Sequence, residues 1–243
     1  MKLFGATTLI GAASLAFIGA AQAGGLYIVP NSGLAHQTDV EIPGLPTVTG
    51  YTSDANLFAA NATAFSFTYM GAGDSVQNNL FFVDANGNSS LDAGEQRVCS
   101  KALPQCGGAA TALGTTFTIE LAAGEVPFVY VANVNADGTG GVVIGDSDPL
   151  GLSDPTYPAS VLLAIEGSTG GSPLTCSAAL PCRTGFIALT DSAGSVTGLN
   201  TGTGDHDFQD LGVRVTEVPE PATLAVLGLG LAGLGFMRRR RAA

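Results

Sequence analysis

The sequence predicts an all-β fold, a β-sandwich or jelly roll, on three observations. Runs rich in Val, Ile, Thr, Phe and Tyr are short and bounded by Gly, Asn, Asp, Ser or Pro, as strands between tight turns are. No stretch between residues 24 and 217 shows a long, capped helical periodicity. Glycine is abundant at 34 residues, tryptophan is absent, and charged residues make up only 12% of the chain. Many short strands separated by turn signals favour a sandwich over a helical bundle.

Taken in order, the chain begins with an address. Lys2 is the only basic residue before Arg97, an apolar run follows from Leu3 to Ala20, and Ala21-Gln22-Ala23 closes it as a small-x-small triplet. Charge, apolar run and triplet together predict a secretory signal peptide over residues 1–23, helical in its apolar part. Cleavage leaves Gly24 as the first mature residue. Residues 24–217 then form one extracellular β-domain of 194 residues, enough for a sizeable core. Gly24 to Gly50, broken at Pro30, Pro43 and Pro46, reads as an extended edge segment. Strands are expected at Ala64–Tyr69, Leu80–Val83, Thr115–Leu121, Pro127–Val131, Val142–Ile144, Val161–Glu166, Gly185–Thr190 and Leu211–Thr216.

The 4 cysteines fall in two close pairs. In an exported chain this spacing reads as two local disulfides, Cys99–Cys106 and Cys176–Cys182, although four cysteines allow three pairings. Each would close a short loop and contribute about 2.5 kcal/mol by chain entropy. A catalytic thiol would need a base, and the body has only His36 and His206, neither in a recognisable context.

The strongest chemical motif is Asp84-Ala85-Asn86-Gly87-Asn88-Ser89-Ser90-Leu91-Asp92-Ala93-Gly94-Glu95. With Asp84 as position 1 of a calcium loop, Asn86 and Asn88 take positions 3 and 5, and Ser90 offers its carbonyl at 7. Asp92 takes position 9 and Glu95 position 12. Calcium needs six to eight oxygens, and this spacing wraps them around one point. The segment resembles the loop of EF-hand and dockerin proteins, with two departures. Ser89 stands at position 6 where glycine is expected, and the flanks read as strands. An Asn/Gly-rich turn that binds nothing is the competing reading. Asn133-x-Asn135-x-Asp137-Gly138 begins in the same way but lacks the late acid, and reads as a turn.

The C-terminal residues 218–243 form a second address. Val218-Pro219-Glu220-Pro221 precedes an apolar stretch from Ala222 to Met237, and Arg238, Arg239, Arg240 and Arg241 follow. As a helix the stretch is roughly 24 Å long, short for a bilayer core of about 30 Å. The arginines stay on the cytoplasmic side, which puts the body outside the inner membrane. These residues resemble the PEP-CTERM sorting signal of exported proteins of Gram-negative bacteria that make exopolysaccharide. The resemblance implies processing near Pro219-Glu220-Pro221 by an exosortase, a membrane-embedded transpeptidase-like enzyme. It also implies a transient stay in the inner membrane and a final place at the cell surface or in the extracellular matrix. The same tail is sometimes labelled an ice-binding protein C-terminal domain, a label that speaks only of the tail. Asp205-His206-Asp207-Phe208-Gln209-Asp210-Leu211 is similar to the acidic ending of some exported β-sandwich proteins with this tail. The resemblance implies that Asp205, Asp207 and Asp210 meet a metal or fix the turn before the last strand, although Gln209 replaces the usual Asn and Gly212 the usual Val; a solvated acidic turn is the competing reading.

Outside the two addresses, 19 acidic residues face 4 basic ones, a formal charge of −15. Such a surface repels nucleic acid and anionic lipid and attracts divalent cations. Enzyme signals are sparse. Gly73-Asp74-Ser75-Val76 is similar to a GDSL-type esterase block, but the later Asp-x-x-His is absent. There is no Gly-x-Ser-x-Gly elbow, no Walker loop and no His-Glu-x-x-His. The expected function is therefore non-catalytic: a calcium-stabilised surface or matrix protein associated with exopolysaccharide. A secreted hydrolase of matrix polymer is the first alternative. An ice-binding protein is the second, disfavoured by the irregular spacing of Thr47-Val48-Thr49, Thr116-Phe117-Thr118 and Thr201-Gly202-Thr203.

Overall fold

The computed structural model describes residues 25–30, 36–40, 48–53, 55–73, 78–132, 134–144, 160–168, 175–190 and 210–218. The two expected terminal helices lie outside these residues, as do Asp205, Asp207, His206 and the 219–221 motif. The described chain is all-β. Its strands are β1 (Leu26–Pro30), β2 (His36–Val40), β3 (Val48–Ser53), β4 (Ala55–Ala59), β5 (Thr63–Gly71), β6 (Leu80–Phe82) and β7 (Arg97–Cys99). They continue with β8 (Thr116–Leu121), β9 (Gly124–Glu125), β10 (Val129–Ala132), β11 (Val142–Ile144), β12 (Ser160–Ile165), β13 (Thr184–Thr190) and β14 (Leu211–Glu217). The only described helical element is a short 3-10 turn, Pro104–Cys106.

The strands form three sheets. Seven strands run in the order β2-β3-β12-β13-β14-β5-β8, four in the order β11-β10-β6-β7, and three in the order β1-β4-β9. Every described neighbour pair is antiparallel. The period-2 pattern of β5 explains its place: Phe65, Phe67 and Tyr69 are buried, and Ser66 and Thr68 on the other face are only half-buried. β14 repeats the pattern one strand over, with Val213 and Val215 facing the core.

One face of the seven-stranded sheet packs on the two smaller sheets. The shared core joins Phe67, Leu163, Ile187 and Val213 from the large sheet to Leu26 and Leu57 from β1 and β4, and to Phe81 and Tyr130 from β6 and β10. This is a sandwich in which the second layer is split. Tyr130 ties the layers together. Its hydroxyl lies 3.1 Å from the carbonyls of Ile187 and of Leu211. A third cluster on the outer side of the four-stranded sheet joins Leu80, Phe82, Leu103, Val129 and Val134, with Leu91 packed against it.

Two differences from expectation have physical causes. The segment expected as one extended edge contains three strands, of which β2 is a sheet edge and β1 is not free. The amide of Leu26 donates to the Cys182 carbonyl, the Cys182 amide donates to that of Leu26, and Ile28 N donates to Thr175 O. Gly25 permits this approach, since a Cβ there would lie 2.6 Å from Cys182 O and from Pro181 Cβ. β14 runs one residue past the expected Thr216, to Glu217, because Glu217 N still finds the Arg183 carbonyl at 2.9 Å.

Candidate metal loop and processing junction

The Asp84 loop grows out of β6. Val83 is buried and its amide donates to Gln96 O, so the loop begins and ends on a closed strand pair. Asp84 itself is 2% exposed. One of its carboxylate oxygens accepts from Gly87 N at 2.8 Å and Asn88 N at 3.3 Å, and the other from Ser89 N at 2.7 Å. Asn86 Oδ1 accepts from Asn88 N, and Asn88 Oδ1 from Ser90 N. Each side chain thus caps the backbone two to five residues ahead, and the result is a tight coil of Asx turns.

Glu95 closes the coil. Its two oxygens accept from Ala85 N at 3.1 Å and Asp92 N at 2.8 Å. Asp92 accepts from the side-chain amides of Asn86 at 2.6 Å and Asn88 at 2.8 Å, and these bonds hold its carboxyl below the usual range. Leu91, the apolar residue at position 8, packs onto the third cluster and fixes the coil to the sheet. Ser89 has φ 55°, so it adopts the left-handed conformation that a calcium loop assigns to glycine at position 6. The departure at Ser89 is therefore one of residue type, not of backbone shape.

The structure brings Asp84, Asn86, Asn88, Asp92 and Glu95 into one hydrogen-bonded loop that also carries Ser90. Among the described residues, no three His, Cys, Asp or Glu side chains converge as a metal cage. A cation here would draw on the Asn oxygens as well as the carboxylates, in competition with the N–H donors now facing them. Of the second acidic cluster only Asp210 is described. It is 8% exposed and its amide donates to Leu189 O. The Asn135 segment is a turn, with Gly138 N donating to Asn135 O and Thr139 N to Asp137 Oδ1.

The cysteines pair locally. Cys99 and Cys106 have Cα atoms 6.3 Å apart, Cys176 and Cys182 5.9 Å apart, and each pair is bonded. Cys99 and Leu103 belong to the third cluster, so the first disulfide closes a lid over the same cluster that seats Leu91. The second disulfide bounds the loop whose Cys182 is bridged to Leu26.

Glu217 is the residue that sequence reading missed. The alternation Leu211, Val213, Val215 predicts an inward position for residue 217, and an acid stands there. Its side chain is 3% exposed, although it lies at the end of β14 and not deep in the core. Neither carboxylate oxygen has a hydrogen-bond partner. Burial pushes the carboxyl up, and the Arg183 charge draws it partly back. Val218 N then makes the last described backbone bond of the chain, 2.9 Å to Ala64 O.

No curated protein and no solved structure matches the chain. Residues 217–241 match the PEP-CTERM protein-sorting motif. The strand end at Glu217 is therefore also the first residue of a PEP-CTERM sorting signal, and that signal marks the chain for export through the membrane to the cell surface and for processing by an exosortase-type enzyme.

Proposed function

We propose that the exported body is a non-catalytic surface protein, stabilised by calcium at the Asp84 loop and associated through that cation with acidic exopolysaccharide. The observation that carries this reading is the coil of Asx turns with Ser89 in the left-handed region, which gives the loop the backbone course of a calcium loop. Charge adds support. A body with 19 acids and 4 bases does not attract an acidic polymer directly, whereas a bound divalent cation can bridge the two. The test is a glycan array probed with the mature body, with calcium and with chelator. Calcium-dependent retention on acidic glycans is expected, and binding that ignores calcium defeats the proposal.

The ice-binding alternative gains little. Thr49 is buried, and residues 201–203 lie outside the described set. Thr116 and Thr118 are exposed on β8, beside Thr68 and Ser66 of β5. That patch is narrow and is bordered by the charged Glu120 and Arg214.

A further inference from the structure

The sorting motif begins where the sheet ends. β14 lies between β13 and β5, so both of its edges are used up to Glu217. Thr216 pairs with Thr184 on one side and Ser66 on the other, Glu217 pairs with Phe65, and Val218 N is bonded to Ala64 O. Pro219 follows at once and has no N–H to extend the ladder. An enzyme that cuts a peptide in its cleft takes hold of an extended backbone on both sides of the scissile bond. Pro219-Glu220-Pro221 spans only about 10 Å fully extended, so the residues just before it must also leave the sheet.

The residue at that point is the one least suited to stay. Val213 and Val215 fill the inward positions of β14 with apolar side chains, and position 217 continues the row with a carboxylate. It is 3% exposed and both oxygens lack a hydrogen-bond partner. The charged group facing it is Arg183, whose carbonyl accepts the Glu217 amide and whose guanidinium makes no hydrogen bond to the carboxylate. A desolvated carboxyl without a donor opposes the pairing that holds it, and peeling the strand end away returns it to water. Thr216, immediately before it, has its side chain on the opposite face, and the loss of pairing can stop there because Val215 is fully buried.

We propose that Glu217 is a weak link at the end of β14 that lets the strand end peel away and present Pro219-Glu220-Pro221 to the processing enzyme. The proposal rests on the reading of that tripeptide as the processing point. Glu217 acts on the substrate side, as a positioning residue, and takes no part in bond cleavage.

The experiment uses the full chain in its exporting cell. Glu217→Leu continues the apolar row and should anchor the strand end. A second variant adds a four-residue Gly/Ser insert between Val218 and Pro219 to the same substitution. Pulse-chase with intact mass measures conversion of tail-bearing to processed protein, and amide exchange at Val218 in the purified full chain measures peeling. Slower exchange and several-fold slower processing are expected for Glu217→Leu, with processing restored by the insert while exchange stays slow. Wild-type processing in Glu217→Leu, or slow processing that the insert does not restore, overturns the proposal. If Glu217→Leu does not fold, Glu217→Gln, which keeps the volume and removes the charge, is put through the same comparison under the same criteria. A wild-type surface protein that keeps its 222–243 segment would instead defeat the processing reading itself, and with it this proposal.

Discussion

Replacing Tyr130 by Phe removes one oxygen atom from the middle of the sandwich and leaves the ring in place. The hydroxyl is fully buried and burial keeps it protonated, so it is always a donor. It lies 3.1 Å from Ile187 O on β13 and from Leu211 O on β14. A single hydrogen serves two carbonyls, so the loss is that of one shared bond and not of two. A neutral hydrogen bond contributes about 1 kcal/mol net, and a buried carbonyl left short of a donor adds a further fraction, for a total of about 1.5 kcal/mol. For a body of 194 residues, 24–217, this lowers Tm by roughly 3–6 °C. Urea unfolding of the oxidised protein should show a lower midpoint with an unchanged m-value, because the surface exposed on unfolding is the same. The ring contacts to Phe81 at 5.0 Å and Phe128 at 6.2 Å survive the change, so aromatic packing does not contribute to the difference. A destabilisation below about 0.5 kcal/mol would refute the claim that this hydroxyl joins the layers.

Four further outcomes follow from the loop and the junction. Calcium should raise Tm by mass action, and removal of both the Asp84 and Glu95 carboxylates (D84A with E95A) should abolish most of the shift in a calcium titration followed by scanning calorimetry. Ser89→Gly should stabilise the loop by about 0.5 kcal/mol, because relief of the left-handed strain exceeds the added freedom of the unfolded chain, and calcium affinity by isothermal titration should not fall. Glu217 has a carboxyl pushed up by burial, so the folded state holds its proton more tightly than the unfolded one. Its cost to stability is absent at low pH, appears as pH rises above about 4.5 and is complete above the folded value, so Glu217→Gln should melt higher than wild type at pH 7 and equal to it near pH 3. Neutral residues in place of Arg238 to Arg241 should reduce processed protein at the cell surface, measured by intact mass, because an arginine cluster beside an apolar span favours the cytoplasmic side.

Strands whose own residues alternate were legible. β5 and β14 show large apolar side chains every second residue, and β8, β11 and β13 fall within a residue of their expected bounds. β1 and β4 were not legible, and the cause is physical. Ala55 and Ala59 of β4 have little strand preference, and β1 ends in Pro30. The two strands pair with each other, and the outer edge of β1 is held by Thr175 and Cys182, which lie far along the chain and leave no local mark. In the Asp84 loop the ligand spacing was plain, while the conformation of Ser89 was not, because a serine does not announce a left-handed backbone. The roles of Tyr130 and Glu217 were not read from the sequence either, although the alternation of β14 already places residue 217 inward. Tyr130 reads as one more strand aromatic until its hydroxyl is seen between two carbonyls of the other layer. Glu217 reads by its charge as a solvated residue until the pairing to Phe65 holds it inward.

The bridge between Leu26 and Cys182 has a consequence for how the chain leaves the membrane. Cys182 is followed by Arg183, whose carbonyl holds Glu217, so the first and last strands of the body emerge at the same end of the sandwich. Anchors set just before Leu26 and just after Glu217, as the expected signal peptide and apolar tail would be, grip the body on one side only, like a purse by its drawstring. Both anchors can then stay in the same sheet of lipid while the chain between them closes into its sheets.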